Sequence, residues 1–241
     1  MMNKTTWGPV TQLIFMPRLF PLNCYLIEDE EGLTLIDACM PFVAKGIAGA
    51  IEATGKPLTR ILLTHAHEDH IGAVPLLKEK YPDAKIGISR RDAALLQGDR
   101  TLLPYEANVP PKGGIPKKAP FTPNFVFDDQ DRIGSLIAVA SPGHTPGHFC
   151  FFETTSRALI AGDAFTSKGG LVVSGHMKWT FPFPALATWH APTAIASARK
   201  LMELRPAILA VGHGPALVQP VAAMQQAIDE AHKRLERRQT G

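Results

Sequence analysis

Apolar residues in this chain fall into short runs separated by polar turns, and some of those runs have helical spacing. Residues 12–16, 22–28 and 33–37 read as strands, with Glu30-Glu31-Gly32 as the turn between the last two. Residues 44–53 place Ile47 and Ile51 on one helical face, and Gly55 follows as a C-cap. Residues 60–64 form a short apolar strand, 73–80 a helix stopped near Pro82, and 85–88 another strand, after which Ser89 caps a helix through Leu96. Residues 149–153 and 157–161 pair as a hairpin, 193–204 form a helix and 207–211 the last core strand. Val221, Met224, Ile228, Ala231 and Leu235 mark an amphipathic final helix. Strand clusters followed by helices thus occur twice, over 12–96 and about 125–238, a mixed α/β (α+β) pattern within one domain spanning 1–241.

Two segments break the pattern. Residues 99–124 hold six prolines and the pair Gly113-Gly114, too Pro-rich for a plain connector, so a lid over a site or a subunit arm is expected. The stretch from Ser174 to Trp189 carries Trp179, Phe181 and Phe183, which suit a pocket wall, a homodimer contact or core packing equally.

Composition narrows the class. At 241 residues, with 45% hydrophobic and 20% charged residues, the chain reads as an ordinary globular protein. The net charge of +3 comes from scattered basic residues, which argues against a nucleic-acid partner. Cys24, Cys39 and Cys150 lie in or beside apolar runs and read as buried free thiols of a reducing compartment. The first ten residues lack the apolar core of a signal peptide, and no run is long enough to cross a membrane, so a cytoplasmic location with no membrane partner is expected.

The chemistry is concentrated at the ends of the apolar runs. Thr64-His65-Ala66-His67-Glu68-Asp69-His70 follows Ile61-Leu62-Leu63, and a strand ending there throws His65 and His67 to one side. Three more motifs follow apolar runs: Ser141-Pro142-Gly143-His144-Thr145-Pro146-Gly147-His148, Ala161-Gly162-Asp163-Ala164 and Val211-Gly212-His213-Gly214-Pro215. Loops meeting at one sheet edge would gather His65, His67, Asp69, His70, His144, Asp163 and His213. Seven ligands exceed what a single structural zinc uses and suit two metals sharing a bridge. Imidazoles and carboxylates without thiolate fit Zn²⁺ first, with Mn or Fe also suited.

These four motifs, with Asn23-Cys24-Tyr25-Leu26-Ile27 and Leu35-Ile36-Asp37-Ala38-Cys39 upstream, resemble those of the metallo-β-lactamase-fold hydrolase superfamily, from about residue 22 to about residue 215. The resemblance implies a four-layer αβ/βα sandwich with metals at the seam of two sheets. It implies His65, His67 and His144 on one ion, Asp69, His70 and His213 on the second, and Asp163 bridging. The choice of His144 over His148 rests on it, leaving His148 with a supporting role. Asp37 is expected to orient a ligand imidazole.

The reading is a hydrolase of a small-molecule ester, lactone or related acyl bond. A metal-bridging hydroxide is the nucleophile, and Asp69 or Asp163 moves the proton to the leaving group. Asp163 argues against true β-lactamase chemistry, since the β-lactamase members resembling this fold generally lack that aspartate. The short stretch after His213 argues against a glyoxalase II-type glutathione domain. Motif context looks closest to small lactonases, although many of those carry a tyrosine where this chain has Thr166. Alternatives are a phosphodiesterase and an iron-dependent oxidoreductase of the same fold, of persulfide dioxygenase or diiron type. Phe165, Thr166, His176, Trp179 and Phe181 are the expected pocket residues.

Overall fold

A computed structural model describes residues 2–239 of the chain. Its first sheet has seven strands in sequential order: β1 (Met2–Trp7), β2 (Val10–Phe15), β3 (Leu22–Asp29), β4 (Gly32–Ile36), β5 (Leu58–Leu62), β6 (Lys85–Ser89) and β7 (Phe125–Phe127). The first four are joined antiparallel and the last three add on in parallel. The later strands are β8 (Arg132–Ile133), β9 (Leu136–Ala140), β10 (Phe149–Glu153), β11 (Ala158–Ile160), β12 (Phe165–Thr166), β13 (Val172–Val173), β14 (Ile208–Ala210) and β15 (Leu217–Val218). They form a second sheet in the order β15-β14-β11-β10-β9-β8, with β12 and β13 as a separate ribbon. Helices α1 (Ala44–Glu52), α2 (Glu68–Ile71), α3 (Val74–Lys80) and α4 (Arg90–Leu96) follow strands of the first sheet. Helices α5 (Phe183–Ala187), α6 (Ala191–Glu203) and α7 (Val221–Gln239) come later in the chain.

Three apolar clusters make the layers. Along β3, Cys24 and Leu26 face the cluster holding Ile47, Ile51 and Leu77 of α1 and α3, while Tyr25 and Ile27 face the second sheet. Along β10, Cys150 and Phe152 face Ala198, Leu201 and Ile228 of α6 and α7, while Phe149 and Phe151 face the first sheet. Period-two alternation therefore buries both faces of these strands, which is why they read as continuous apolar runs. The result is helices, sheet, sheet, helices, the mixed four-layer architecture expected.

Among the strands the structure adds, two lie at the sheet edges. Met2–Trp7 pairs with β2 along the sheet edge, and its residues are exposed or half-buried. A strand with no buried face carries no apolar alternation for a sequence reading to detect. Leu217–Val218 closes the other sheet beyond the strand taken as its last. All three cysteines are buried free thiols. Among the described residues, no helix is long and apolar enough to cross a membrane.

Candidate metal centre

The carboxyl ends of β5, β9, β11 and β14 release four loops that meet at the seam between the sheets. The first is extended through His67 and then turns into α2, with Glu68 and Asp69 in its opening turn. This places His65, His67 and His70 on the inside, all buried, while Glu68 is exposed. The other loops deliver His144, Asp163 and His213, also buried. Three groups converge, His65–His67–His144, His65–His70–Asp163 and Asp69–His70–His213, with the ligand atoms of each within 4.8 Å of one another.

Hydrogen bonds on the outer nitrogens decide what the inner ones are. The Thr64 hydroxyl donates to Asp37 (2.8 Å to Oδ2) and so accepts from His65 Nδ1 at 3.0 Å. His67 Nε2 donates to the Lys112 carbonyl at 3.0 Å. Thr188 donates to the Pro184 carbonyl, Ser174 donates to Thr188, and Ser174 Oγ therefore accepts from His144 Nδ1 at 2.9 Å. With each N–H used outward, three lone pairs face inward. His67 Nδ1 lies 3.1 Å from His65 Nε2 and 3.0 Å from His144 Nε2. Burial pushes the pKa of each of these imidazoles down, so none readily takes a proton to fill that space. Ligands of a tetrahedral zinc with Zn–N of about 2.0–2.1 Å would sit roughly 3.3 Å apart, close to these separations.

The neighbouring group is richer in carboxylate. His70 Nδ1 donates to Asp37 Oδ2 at 2.8 Å, and His213 Nδ1 to the Pro21 carbonyl at 2.7 Å. His213 Nε2 lies 3.3 Å from Asp163 Oδ2 and 3.4 Å from Asp69 Oδ2, and His144 Nε2 is 3.4 Å from the same Asp163 oxygen. Asp163 thus touches both sets. Burial works against a charged imidazole here, but Asp163, Asp37 and Asp69 hold His70 well above its usual range, and Asp163 and Asp69 push His213 up to about 10. Burial opposes ionisation of Asp163 too, yet His213 and His70 bring its pKa well down. This half of the site therefore favours positive charge. His70 Nε2 and Asp163 Oδ1 face each other at 3.4 Å, and neither has a hydrogen-bond partner. Orphaned atoms aimed into a cluster of imidazoles and carboxylates fit divalent metal ions.

Supporting residues lie close by. His148 is buried behind Asp163. Its Nε2 accepts from the Asp163 backbone N–H at 3.2 Å, its Nδ1 faces Ser141 Oγ at 2.9 Å, and burial lowers its pKa to about 3. It positions Asp163 as a neutral imidazole. Gly212 passes so near Asp163 that a Cβ would sit 2.2 Å from Oδ1.

Residues 99–124 form no helix or strand, but they are pinned in place. Arg91 binds Glu106 (2.6 Å), Trp189 Nε1 donates to the Val109 carbonyl (2.8 Å), and Glu68 N donates to the Gly114 carbonyl (3.0 Å). With the Lys112–His67 bond, the segment is a strap that touches a candidate ligand, where a lid or a subunit arm was expected.

The expected pocket residues separate. Phe165 is fully buried among the residues packed beneath α6 and α7, so it is core and not pocket wall. Thr166 is buried and paired with Val172 in the ribbon, its hydroxyl without a hydrogen-bond partner. His176 lines a crevice with Ala191, Ile195, Ala231 and Arg234 between α6 and α7. Trp179 is 85% exposed. Phe181 alone meets the cluster, its ring 5.4 Å from His213 and 5.0 Å from Phe20. The groove beside Asp69 is instead lined by Met16, Phe20, Leu22, Met40, Phe42, Glu68 and Gly114, with a volume of about 360 Å³. Most of these residues precede the first histidine, where no chemical motif marked them.

The sequence reading named Asn23 and Tyr25 only as part of a motif and assigned no residues to holding the His213 loop. Gln12, Asn23 and Tyr25, buried in β2 and β3, reach across the seam to its backbone. Asn23 Nδ2 and Tyr25 Oη both donate to the Val211 carbonyl at 2.7 Å, and Gln12 Nε2 donates to Tyr25 Oη at 3.0 Å. A glutamine and an asparagine inside apolar strand runs were the available signal.

Comparison with known proteins agrees with this geometry. Residues 17–213 match the family model described as the metallo-beta-lactamase superfamily. The chain belongs to that superfamily. This superfamily member is 51% identical over 232 residues to the "Uncharacterized protein YobT" of Bacillus subtilis (strain 168), covering 96% of this chain and 100% of the relative. It is 31% identical over 156 residues to the hydroxyacylglutathione hydrolase GloC of Haemophilus influenzae, covering 62% of this chain and 69% of that one. A solved structure, TTHA1623 in a di-iron-bound form, aligns with TM-score 0.59 and 27% identity, covering 92% of this chain and 96% of that one. Family and donor set together support a metal-dependent hydrolase in general terms.

Proposed function

We propose that this protein is a binuclear metal-dependent hydrolase acting on an ester, lactone or related acyl bond of a small substrate with an apolar acyl or aryl part. The observation that carries the binuclear reading is Asp163, whose Oδ2 lies 3.4 Å from His144 and 3.3 Å from His213 and so joins the two ligand sets. His65, His67 and His144 would hold one ion, Asp69, His70 and His213 the other, with Asp163 between. Bound there, divalent ions supply an activated water near neutral pH and polarise the oxygen of the scissile group.

The chain's own residues do the rest. Asp69 retains 28% side-chain exposure and lies on the groove, so it is the carboxylate placed to carry a proton to the leaving oxygen. Asp163, buried with its backbone fixed by His148, orients the ligands. Met16, Phe20, Leu22, Met40 and Phe42 offer apolar contact and exclude water along the scissile bond. Among the described residues no Lys or Arg lines this groove, which supports a neutral acyl substrate over a phosphodiester. The relative GloC, named as a hydroxyacylglutathione hydrolase, supports an acyl substrate.

The test is a panel of aryl esters, lactones, an acyl thioester and a phosphodiester, assayed on protein whose metal content is measured. Two ions per chain and turnover of the acyl substrates are expected. Phosphodiester turnover far above that of any acyl substrate would refute the substrate class, and one ion that added metal does not raise would refute the binuclear reading. The di-iron form of TTHA1623 favours a second reading, an iron-dependent oxidoreductase on the same ligands. Oxygen consumption with a persulfide by iron-loaded protein, without acyl turnover, would establish that reading instead.

A further inference from the structure

Asp92 is a fully buried carboxylate in the first turn of α4, outside both ligand sets. Burial of such a group is costly unless donors converge on it, and three do. The Ala66 backbone N–H donates to Oδ2 at 2.9 Å, Thr145 Oγ1 donates to the same oxygen at 2.9 Å, and the Gly147 backbone N–H donates to Oδ1 at 2.9 Å. Burial still pushes its pKa up to about 6, which leaves it mainly ionised at neutral pH.

The identity of those donors is the point. Ala66 lies between His65 and His67 on the loop after β5 of the first sheet. Thr145 and Gly147 lie between His144 and His148 on the loop after β9 of the second. One side chain therefore grips both loops that carry the His65–His67–His144 group. Ser89 reinforces the grip by donating to the Gly147 carbonyl at 2.6 Å while accepting from the Asp92 backbone N–H at 3.1 Å. Gly147 must be glycine for this approach, because a Cβ would stand 2.4 Å from Asp92 Oδ1. The Asp69–His70–His213 group is held by other partners, Asp37 and the Pro21 carbonyl.

We infer that Asp92 is a positioning residue that sets the spacing of His144 against His65 and His67, and so controls affinity for one of the two ions selectively. The inference rests on the proposed binuclear reading. Ligand nitrogens 3.0–3.1 Å apart tolerate little relative movement of their loops, and among the described residues no other side chain from outside the two loops bonds to both.

The experiment uses the full chain and its Asp92→Asn, Thr145→Val and Thr145→Ser variants. Asparagine keeps the shape but turns one acceptor oxygen into a donor facing a donor. Each apo protein is titrated with Zn²⁺ against a chromophoric chelator, its cadmium form is examined by NMR with one resonance expected per ion, and its apo melting transition is recorded. Asp92→Asn is expected to bind one ion at least tenfold more weakly while the other stays within threefold and the apo melt remains cooperative. Thr145→Val should show a smaller loss at the same ion, and Thr145→Ser should restore the parent's affinity. Retention of both ions within threefold in Asp92→Asn, or equal weakening of both, overturns the inference. If Asp92→Asn does not fold, Thr145→Val decides, and failure to weaken one ion selectively overturns it. A parent protein that binds fewer than two ions refutes the proposed function, and this inference with it; two ions in the parent with no selective loss refutes this inference alone.

Discussion

Replacing Asp37 by Asn removes one charge and almost no volume, and it should weaken metal binding without unfolding the chain. Asp37 sits just past β4 with φ +59°, a conformation that Asn adopts as readily as Asp, so the backbone gains no strain. Its carboxylate accepts from Thr64 N at 2.9 Å, from Thr64 Oγ1 and from His70 Nδ1 at 2.8 Å. An amide cannot serve all of these. With its oxygen toward Thr64 N, its NH₂ faces His70 Nδ1, which must become an acceptor and carry its proton on Nε2, the atom meant for the metal. Flipped, the NH₂ meets the Thr64 backbone N–H. Either arrangement forfeits a charge-assisted hydrogen bond worth about 1.5–3 kcal/mol, which converts at 1.4 kcal/mol per decade to roughly 10- to 150-fold in affinity for the ion on His70. The assay is Zn²⁺ titration of apo protein against a chelator, with circular dichroism to confirm the fold. An Asp37→Asn protein that holds both ions within threefold of the parent would refute the claim that this carboxylate sets the His70 tautomer.

Gly113→Ala should disturb the strap where it crosses the site, because Gly113 has φ +88° and a Cβ there would lie 2.1 Å from His67 Nε2; a lower zinc affinity with an unchanged apo melt is expected, and unchanged affinity would show that the strap does not support His67. Asp163→Asn and His144→Ala should each lower kcat at least 100-fold while circular dichroism stays that of the parent; full turnover with intact metal content in either would remove that residue from the site. Phe42→Ala should raise KM for long-chain acyl esters several-fold at constant stability, since Phe42 is 63% exposed on the groove, whereas Phe165→Ala should cost about 3–5 kcal/mol of stability as a core truncation. Denaturant melts and steady-state kinetics on the two variants check this, and the opposite assignment of effects would move the groove to Phe165.

Local chemistry was the legible part. His65, His67, Asp69 and His70 lie within one turn of chain, so strand alternation and the following helix were enough to place them together. Layered packing was legible too, because strands buried on both faces, such as β3 and β10, read as unbroken apolar runs. What sequence could not show was contact at a distance. Asp92 meets Ala66, Thr145 and Gly147 across 26 to 55 positions and looks like one more polar residue on a short helix. The strap's tie to His67 runs through the Lys112 backbone carbonyl, which leaves no trace in side-chain identity. Phe165 and Phe181 are equally apolar and both follow Asp163, yet one packs into the core and the other against His213, a difference that side-chain identity does not carry.

The site divides into a part the fold fixes and a part it leaves free. Every imidazole of the two ligand sets has its outer nitrogen engaged by a different element: Thr64, the Lys112 carbonyl, Asp37, Ser174 and the Pro21 carbonyl. The loops bearing those imidazoles are themselves gripped by buried polar residues of β2, β3 and α4. Moving any one ligand would therefore break bonds inside the protein, at about 1–3 kcal/mol for each buried group left unpaired. The apolar side chains of the groove can form no such ties. Phe42 on the groove and Phe183, whose ring lies 5.3 Å from that of Phe20, are each more than half exposed. Substitution there changes what can bind without disturbing a hydrogen-bond network, usually within about 0.5 kcal/mol of stability. This separation explains how a superfamily can keep one arrangement of ligands while its members act on different substrates. Under the proposed function, the apolar side chains of the groove, and not the histidine motif, would set which acyl or aryl group is accepted.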